Sequence, residues 1–277
     1  AGLLEATGAA GARSIVLDET MRADHAALVQ DALPGAARAF TAATVGRLRM
    51  KKDGAEFAAL KAAAGVADRA MQAAWAAMAP GMSELEVAEI VSRSFESEGA
   101  SAIFRIIGTG GNGAYPHHHT GGTKLQRGDA VVMDIGCLKG GFPSDITRMA
   151  VIGEKPEGYD EIHAIVERAV QAGMDAARPG AKAHQIDDAA RGVIAEAGYG
   201  EYFLHRTGHG LGLEVHEPPW ITATSQTVLE EGMVFSIEPG IYLPGRFGLR
   251  LEDIVILRSD GPEILSELPR DVRVVGG

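Results

Sequence analysis

The stretch PGMSELEVAEIVSRSFESEG, residues 80–99, decides the fold because its pattern returns as PGAKAHQIDDAARGVIAEAG at residues 179–198. In each copy a Pro-Gly pair stops one helix and a glycine ends the next. The stops Pro80-Gly81 and Pro179-Gly180 lie 99 residues apart, and so do Gly99 and Gly198. Ser83 followed by Glu86 fits a capping box that opens a helix. Upstream of Pro80, the run from Asp53 to Met78 is rich in Ala, Leu, Lys and Glu, all good helix formers. Upstream of Pro179, Glu157 to Arg178 is periodic in the same sense. Apolar runs with strand character follow each helix pair, at 131–135 and 149–152, then at 233–237 and 251–257. The spacing predicts helix–helix–strands twice, an internal duplication in one α+β domain, with a shared site between the halves.

Composition narrows the class. The chain has 277 residues, enough for one large domain or two modest ones. Lys plus Arg number 26 against 37 Asp plus Glu, a formal net charge of −11. That acidic balance excludes nucleic-acid backbone binding as the main task. A single cysteine excludes an internal disulfide framework and a multi-cysteine zinc site. No apolar run approaches the roughly 20 residues that span a bilayer, so no membrane partner is expected. The first 17 residues carry Glu5 and Arg13 and no basic leader, so a cytoplasmic protein is expected. Residues 1–48 offer a strand at 14–17 and a helix at 22–33 closed by Pro34-Gly35. They are too few for a domain and read as a short arm or the remnant of a preceding one. The chain also begins without Met, which agrees with a missing front part.

Four carboxylates stand inside or beside apolar strands. Asp134 lies in Val131-Val132-Met133-Asp134-Ile135, and Asp145 follows after Lys139-Gly140-Gly141. A two-residue loop at Lys139-Gly140 places the two aspartates directly opposite, with Cβ atoms about 5 Å apart. A three-residue loop without a bulge places them on opposite faces. Glu238 ends the strand at 234–237, and a turn centred on Gly245 sets Glu252 opposite it. Buried like charges so close repel unless a cation lies between them. The histidines cluster as well: His117, His118 and His119 follow a glycine-rich loop, and His205, His209 and His216 share one glycine-rich segment. Glycine on both sides of His209 lets the backbone approach a ligand or metal. Four carboxylates and a neutral imidazole balance two divalent cations, with O/N donors suited to Mn²⁺, Co²⁺, Fe²⁺ or Zn²⁺. Two such ions can clamp a bridging water for hydrolysis.

These segments resemble the pita-bread metallopeptidases, in particular the proline-specific branch of Xaa-Pro dipeptidases and Xaa-Pro aminopeptidases. The resemblance runs from about Arg49 to Arg270. It rests on Arg49 to Asp53 with Glu56, Asn112 to His118, Asp134-Ile135-Gly136 with Ser144 to Arg148, His205 to Pro218, and Ile237 to Tyr242 with Arg250 to Asp253. It implies a pita-bread (creatinase/aminopeptidase) fold with a pseudo-two-fold duplication, and a catalytic domain over residues 49–277. It implies Asp134, Asp145, His209, Glu238 and Glu252 as ligands of two divalent ions, with manganese foremost and cobalt or zinc as alternatives. His117 and His216 match histidines that contact the substrate or intermediate, and can donate hydrogen bonds where oxyanion charge develops. Glu238 matches the carboxylate that deprotonates the water, and Arg250 an arginine that supports the site and binds substrate. His205 matches a histidine near the substrate pocket and Tyr242 a tyrosine close to the metals, and both are expected to bind substrate.

The implied reaction is metal-dependent hydrolysis of the Xaa-Pro peptide bond, as a dipeptidase, with aminopeptidase action on longer peptides as the alternative. Implied partners are small peptides with proline second, and a second copy of the chain in a full-length homodimer. Two departures stand out. Full-length members carry a larger N-terminal domain, and several prolidases have an arginine where this chain has Trp220. A tryptophan there could stack on the proline ring. Intact residues at all five ligand positions disfavour a metal-free creatinase-like hydrolase and a non-enzymatic binding module. The segments around His117 and Glu238 fit methionine aminopeptidase poorly. Cys137 reads as structural, and Gly108 to Gly113 lacks the Gly-Lys-Ser/Thr ending of a phosphate loop.

Overall fold

The computed structural model describes residues 2–276. It divides into two compact units with the boundary after Met50. In the first, the parallel strands Ser14–Leu17 and Ala37–Phe40 are joined through the helix Ala23–Ala32, and the helix Val45–Met50 follows. Glu19 accepts from the Ala42 amide at 2.8 Å and from the Thr41 hydroxyl, which ties the two crossover ends together.

The second unit opens on the helix Gly54–Ala77. Asp53 caps it by accepting from Ala55 N and Glu56 N at 2.8 and 2.9 Å, and Glu56 accepts in return from Asp53 N at 2.9 Å. The expected box at Ser83 opens the helix Glu84–Ser97: Glu86 N donates to Ser83 Oγ at 3.2 Å, and Ser83 N to Glu86 Oε2 at 2.6 Å. The strands Ser101–Thr109, Ala130–Lys139, Phe142–Pro143, Ile146–Ile152 and Arg273–Val275 form one sheet against this helix pair. Alternation along the central strand sorts its faces. Val131, Met133, Ile135 and Cys137 pack with Val66, Met71, Val91 and Phe95 of the helices, so Asp134 points to the other face.

The second half repeats the plan with helices Tyr159–Ala176 and Ala183–Glu196 and a second five-stranded sheet. The duplication extends to individual hydrogen bonds. Gly81 N donates to Leu125 O, and Gly180 N to Leu229 O, both at 2.8 Å. Leu125 N returns to Met82 O, and Leu229 N to Ala181 O, again at 2.8 Å. Gly81 and Gly180 share φ of 88° and 89°. A Cβ on Gly173 would meet Ile237 at 2.9 Å, so Ile237 sits on its helix pair and Ser236 and Glu238 face away. The acids of both halves thus lie on the sheet faces turned from the helices. Arg148, fully buried, stitches the halves by donating to Thr147 O, Glu252 O, Asp253 Oδ1, Leu268 O and Pro269 O at 2.5–3.1 Å.

One register differs from expectation. The first hairpin turns on Gly140-Gly141, not Lys139-Gly140: Lys139 pairs with Phe142, and Asp134 with Thr147. The two turn residues have φ of 59° and 87°, a conformation that glycine adopts without strain and lysine does not. Asp145 therefore lies diagonal to Asp134 rather than opposite it. The second hairpin has the expected register. Its inner and outer ladders share one alignment, Gly240 with Arg250 and Ile237 with Asp253, so Glu238 and Glu252 face each other across the gap.

Candidate metal centre

His209 sits in the three-residue strand Gly208–Gly210, which is wedged between neighbours. A Cβ on Gly208 would lie 2.0 Å from Ser236 O, and one on Gly210 2.2 Å from Pro218 O, so the backbone reaches this depth because both are glycine. Ser236 Oγ accepts from His209 N at 2.9 Å and donates to Glu238 Oε1 at 3.1 Å, fixing two side chains at once. His209 Nδ1 faces Gly210 O at 3.1 Å; a carbonyl only accepts, so Nδ1 carries the proton and Nε2 keeps its lone pair. That lone pair faces Glu238 Oε1 at 3.3 Å and Asp145 Oδ2 at 3.6 Å. Burial, then the nearby His216, lowers the His209 pKa to about 3, so the ring is neutral at physiological pH. One ligand atom each of Asp145, His209 and Glu252 lie within 4.8 Å of one another.

Asp134 and Glu238 border the same space. Asp134 Oδ2 accepts from Arg250 Nη2 at 2.5 Å, whereas its Oδ1 is buried without a partner. Thr147 Oγ1 donates to Glu252 Oε2 at 2.7 Å and accepts from Arg250 Nε at 3.0 Å. Burial lifts all four carboxyls. It raises Asp134, against the pull of Arg250, and it raises Glu238 to about 7. Asp145 and Glu252 are driven well above the usual carboxyl range by burial and then by the neighbouring acid charges. An orphaned carboxylate oxygen, an aimed imidazole lone pair and acids that repel one another form a donor set with room for positive charge. The residues fit a divalent cation.

Arg250 also donates to Tyr242 Oη at 2.8 Å and to Pro116 O at 3.3 Å. His205 Nδ1 donates to Arg206 O at 2.8 Å, so its Nε2 accepts from Tyr242 Oη at 2.7 Å. A buried relay thus runs from His205 through Tyr242 and Arg250 to Asp134. Burial lowers the His205 pKa to about 3, which keeps this end of the relay neutral. Above it opens a cavity of about 560 Å³ with Asp134, Asp145, His209, Glu238, Arg250 and Glu252 among its lining residues. His117, His205 and His216 line it too, with Phe104, Ile106, Pro116 and Arg206. The His216 ring lies 4.2 Å from that of His209, centroid to centroid.

Residues 58–259 match the profile of metallopeptidase family M24. The chain belongs to this family. The crystal structure of dipeptidase PepE from Mycobacterium ulcerans superposes with a TM-score of 0.93 at 42% identity, covering 98% of this chain and 74% of that one. The X-Pro aminopeptidase structure from Thermotoga maritima gives 0.87 at 35% identity, covering 99% of this chain and 79% of that one. The Xaa-Pro dipeptidase of Pyrococcus furiosus is 41% identical over 227 residues, which are 81% of this chain and 65% of the relative. As an M24 metallopeptidase the chain is a hydrolase of pita-bread fold that works with divalent metal.

In this M24 site most of the expected residues converge, and two stand apart. Tyr242 is fully buried and does not line the cavity; packed between His205 and Arg250, its hydroxyl has no surface left for substrate. Trp220 is also absent from the cavity wall, and its ring lies under the Arg206 guanidinium at 4.7 Å. Both lie outside the set of side chains that line the cavity. His118 is tied to the buried Glu84 at 2.8 Å, a carboxylate that also accepts from Thr109 N, Asn112 Nδ2 and Gly121 N at 2.9–3.0 Å. That knot fixes the loop carrying His117. Thr147, Ser236 and Arg206 are site residues that the motifs did not single out. Phe104 and Ile106 carried a signal, since they alternate along one strand, and Phe104 packs over Gly136, where a Cβ would meet its ring at 2.4 Å.

Proposed function

We propose that this chain hydrolyses the peptide bond before proline in Xaa-Pro dipeptides, using two divalent ions held by Asp134, Asp145, His209, Glu238 and Glu252. The observation that carries this is the set of three buried acids and the half-buried Glu238 around one neutral imidazole, in the wall of a cavity that His117 and His216 also line. The substrate comes from the relatives, among them the Xaa-Pro dipeptidase of Pyrococcus furiosus. When bound, the metal supplies Lewis-acid activation of water and of the scissile carbonyl.

The remaining work falls to side chains. Glu238 Oε1 accepts from Ser236 Oγ, so Oε2 is the oxygen free to take the proton of the attacking water. That oxygen can accept a proton from the water and then release it to the leaving proline nitrogen. His216, lowered by burial, is a neutral hydrogen-bond donor, and with His117 it can stabilise charge on the carbonyl oxygen. Arg250 holds Asp134 and Thr147 in place. Manganese as the ion, a cytoplasmic setting and a homodimeric full-length form belong to the same proposal.

The test is turnover of Ala-Pro, Gly-Pro and Ala-Pro-Pro by protein loaded with Mn²⁺, with metal content measured alongside. Hydrolysis of the dipeptides with about two ions per chain is expected. No turnover of any of them with metal bound would overturn the reading. Cleavage of Ala-Pro-Pro alone would favour the second reading, an aminopeptidase, which the Thermotoga maritima relative supports.

A further inference from the structure

The segment from Leu211 to His216 links the strand of His209 to the strand Glu217–Ile221 and has no helix or strand of its own. His216 ends it, exposed, with its ring 4.2 Å from that of His209. The loop is held by the residue that follows. Glu217 turns its buried carboxylate back on the loop, and Oε2 accepts from Leu213 N at 3.2 Å and from Glu214 N at 3.3 Å. Its Oε1 accepts from Lys52 Nζ at 2.7 Å, and both side chains are only 2% exposed. Gly212 closes over the pair: a Cβ there would press on Glu217 Oε1 and on Lys52 Nζ. Lys52 is anchored in turn, since its backbone N donates to Gly232 O at 2.8 Å.

Stability alone does not call for an ion pair here. Two charges taken out of water lose most of their hydration, and an apolar pair of similar volume is often as stable or more so. What an apolar pair cannot supply is an acceptor for the loop amides. A carboxylate serves both sides at once, because each oxygen accepts. A carboxamide has one acceptor oxygen and one donor group, so it would leave either Lys52 or the amides facing N–H donors. Leu211 and Val215, at the two ends of the loop, pack in the apolar cluster with Leu60, Val234 and Phe57. Burial therefore fixes the ends of the loop, and Glu217 fixes its middle.

We propose that Lys52 and Glu217 are a positioning pair that sets the His216 ring in the cavity wall, and that they act on turnover through His216 rather than through metal binding. Neither side chain lines the cavity. The proposal rests on the Xaa-Pro reading above, in which His216 meets charge on the carbonyl oxygen, and extends it to residues that never touch substrate. The rival route runs through the metal, because the Val215 backbone in the same loop also faces His209. His209 has its own supports, however, in Ser236 Oγ and Gly210 O.

The test is a double-mutant cycle of Glu217→Gln against His216→Ala, read as Ala-Pro turnover by Mn²⁺-loaded protein. His216→Ala is expected to lose about 100-fold in kcat/KM, as on removing one donor to developing oxyanion charge. Glu217→Gln should lose about 10-fold or more, in kcat rather than KM, because a small misplacement is felt mainly in the transition state. In the His216→Ala background the same change should cost less than about threefold, since the group it positions is gone. Lys52→Met/Glu217→Leu removes both charges together, keeps the fold, and should show the same loss and the same coupling. Mn²⁺ affinity by competition titration should stay within about threefold of wild type, well short of the loss seen when a ligand's own partner is removed. Crystal structures give a readout independent of turnover, with the His216 ring drawn away from its 4.2 Å approach to His209 in both Glu217 variants. Losses that add in the cycle, a fall in Mn²⁺ affinity that tracks turnover, or an unmoved His216 would overturn the proposal. So would wild-type turnover by Glu217→Gln or by His216→Ala. If wild type cleaves no Xaa-Pro substrate, the Xaa-Pro reading itself fails, and the crystal structures still decide what holds His216.

Discussion

Arg250 donates to Asp134 Oδ2 at 2.5 Å while Asp134 Oδ1 stays buried without a partner. One oxygen is thus neutralised by the protein, and the other is open to a ligand. Arg250 is the cation that directly pairs with an acid of the cluster, so its removal should weigh most on the metal-free protein. Arg250→Met is expected to cost about 3–5 kcal/mol in the chelated form, as for a broken buried ion pair, and clearly less with Mn²⁺ present. Denaturant titrations in EDTA and in Mn²⁺ check this; equal losses in both would contradict it.

Proton competition gives a pH dependence of defined sign. Burial raises the Glu238 carboxyl from its ordinary 4.5 to about 7, and Asp145 and Glu252 are also raised. Their contribution to folding is complete below their unfolded values, near 4, and is lost as pH rises through the folded ones, about 7 for Glu238. Metal takes the place of those protons. Apparent affinity should therefore rise about tenfold per pH unit for each proton displaced, and the Tm gap between Mn²⁺-loaded and chelated protein should widen from pH 5 to pH 8. His209, neutral down to about 3, does not offset this trend. Calorimetric scans across that range would show a narrowing gap if the acids were not the ligands.

The Thr147 hydroxyl sits between Glu252 and Arg250. Thr147→Val keeps the shape and removes both bonds. Metal affinity is expected to fall about 10- to 100-fold, as on losing a partner that orients a ligand, while the fold persists. A competition titration with a chromophoric chelator measures it.

Gly208 has no room for a side chain, with Ser236 O 2.0 Å from where a Cβ would stand. Gly208→Ala should push His209 off Ser236 and cost about 3 kcal/mol or more, beyond ordinary overpacking, because a rigid backbone carbonyl is the obstacle. Urea denaturation gives the stability, and bound metal per chain reports the displaced histidine.

Much of this architecture was legible along the chain because it is local. The capping residues, the Pro-Gly stops and the 99-residue repeat are short-range signals, and an acid inside an apolar strand stands out wherever the strand pairs. The hairpin at Gly140-Gly141 shows where such reading fails. Turn position depends on which residues tolerate positive φ, and one step of slip moved Asp134 from opposite Asp145 to opposite Thr147. Tyr242 shows a second limit: a motif marks it as near the metals, and only packing shows that its hydroxyl is enclosed between His205 and Arg250.

Sequence by itself determined the duplicated α+β plan and the identities of the four acids and the histidine. Alternating burial and helix stops are set by neighbours within a few residues. Tertiary structure decided how those groups are used. Thr147 meets Glu252, Ser236 joins His209 to Glu238, and Arg206 rests on Trp220 because strands from distant parts of the chain come side by side. Contacts such as Ser236 to His209, 27 positions apart, and Thr147 to Glu252, 105 positions apart, leave no periodic trace, so the charge balance of the site became visible only when the sheets were assembled.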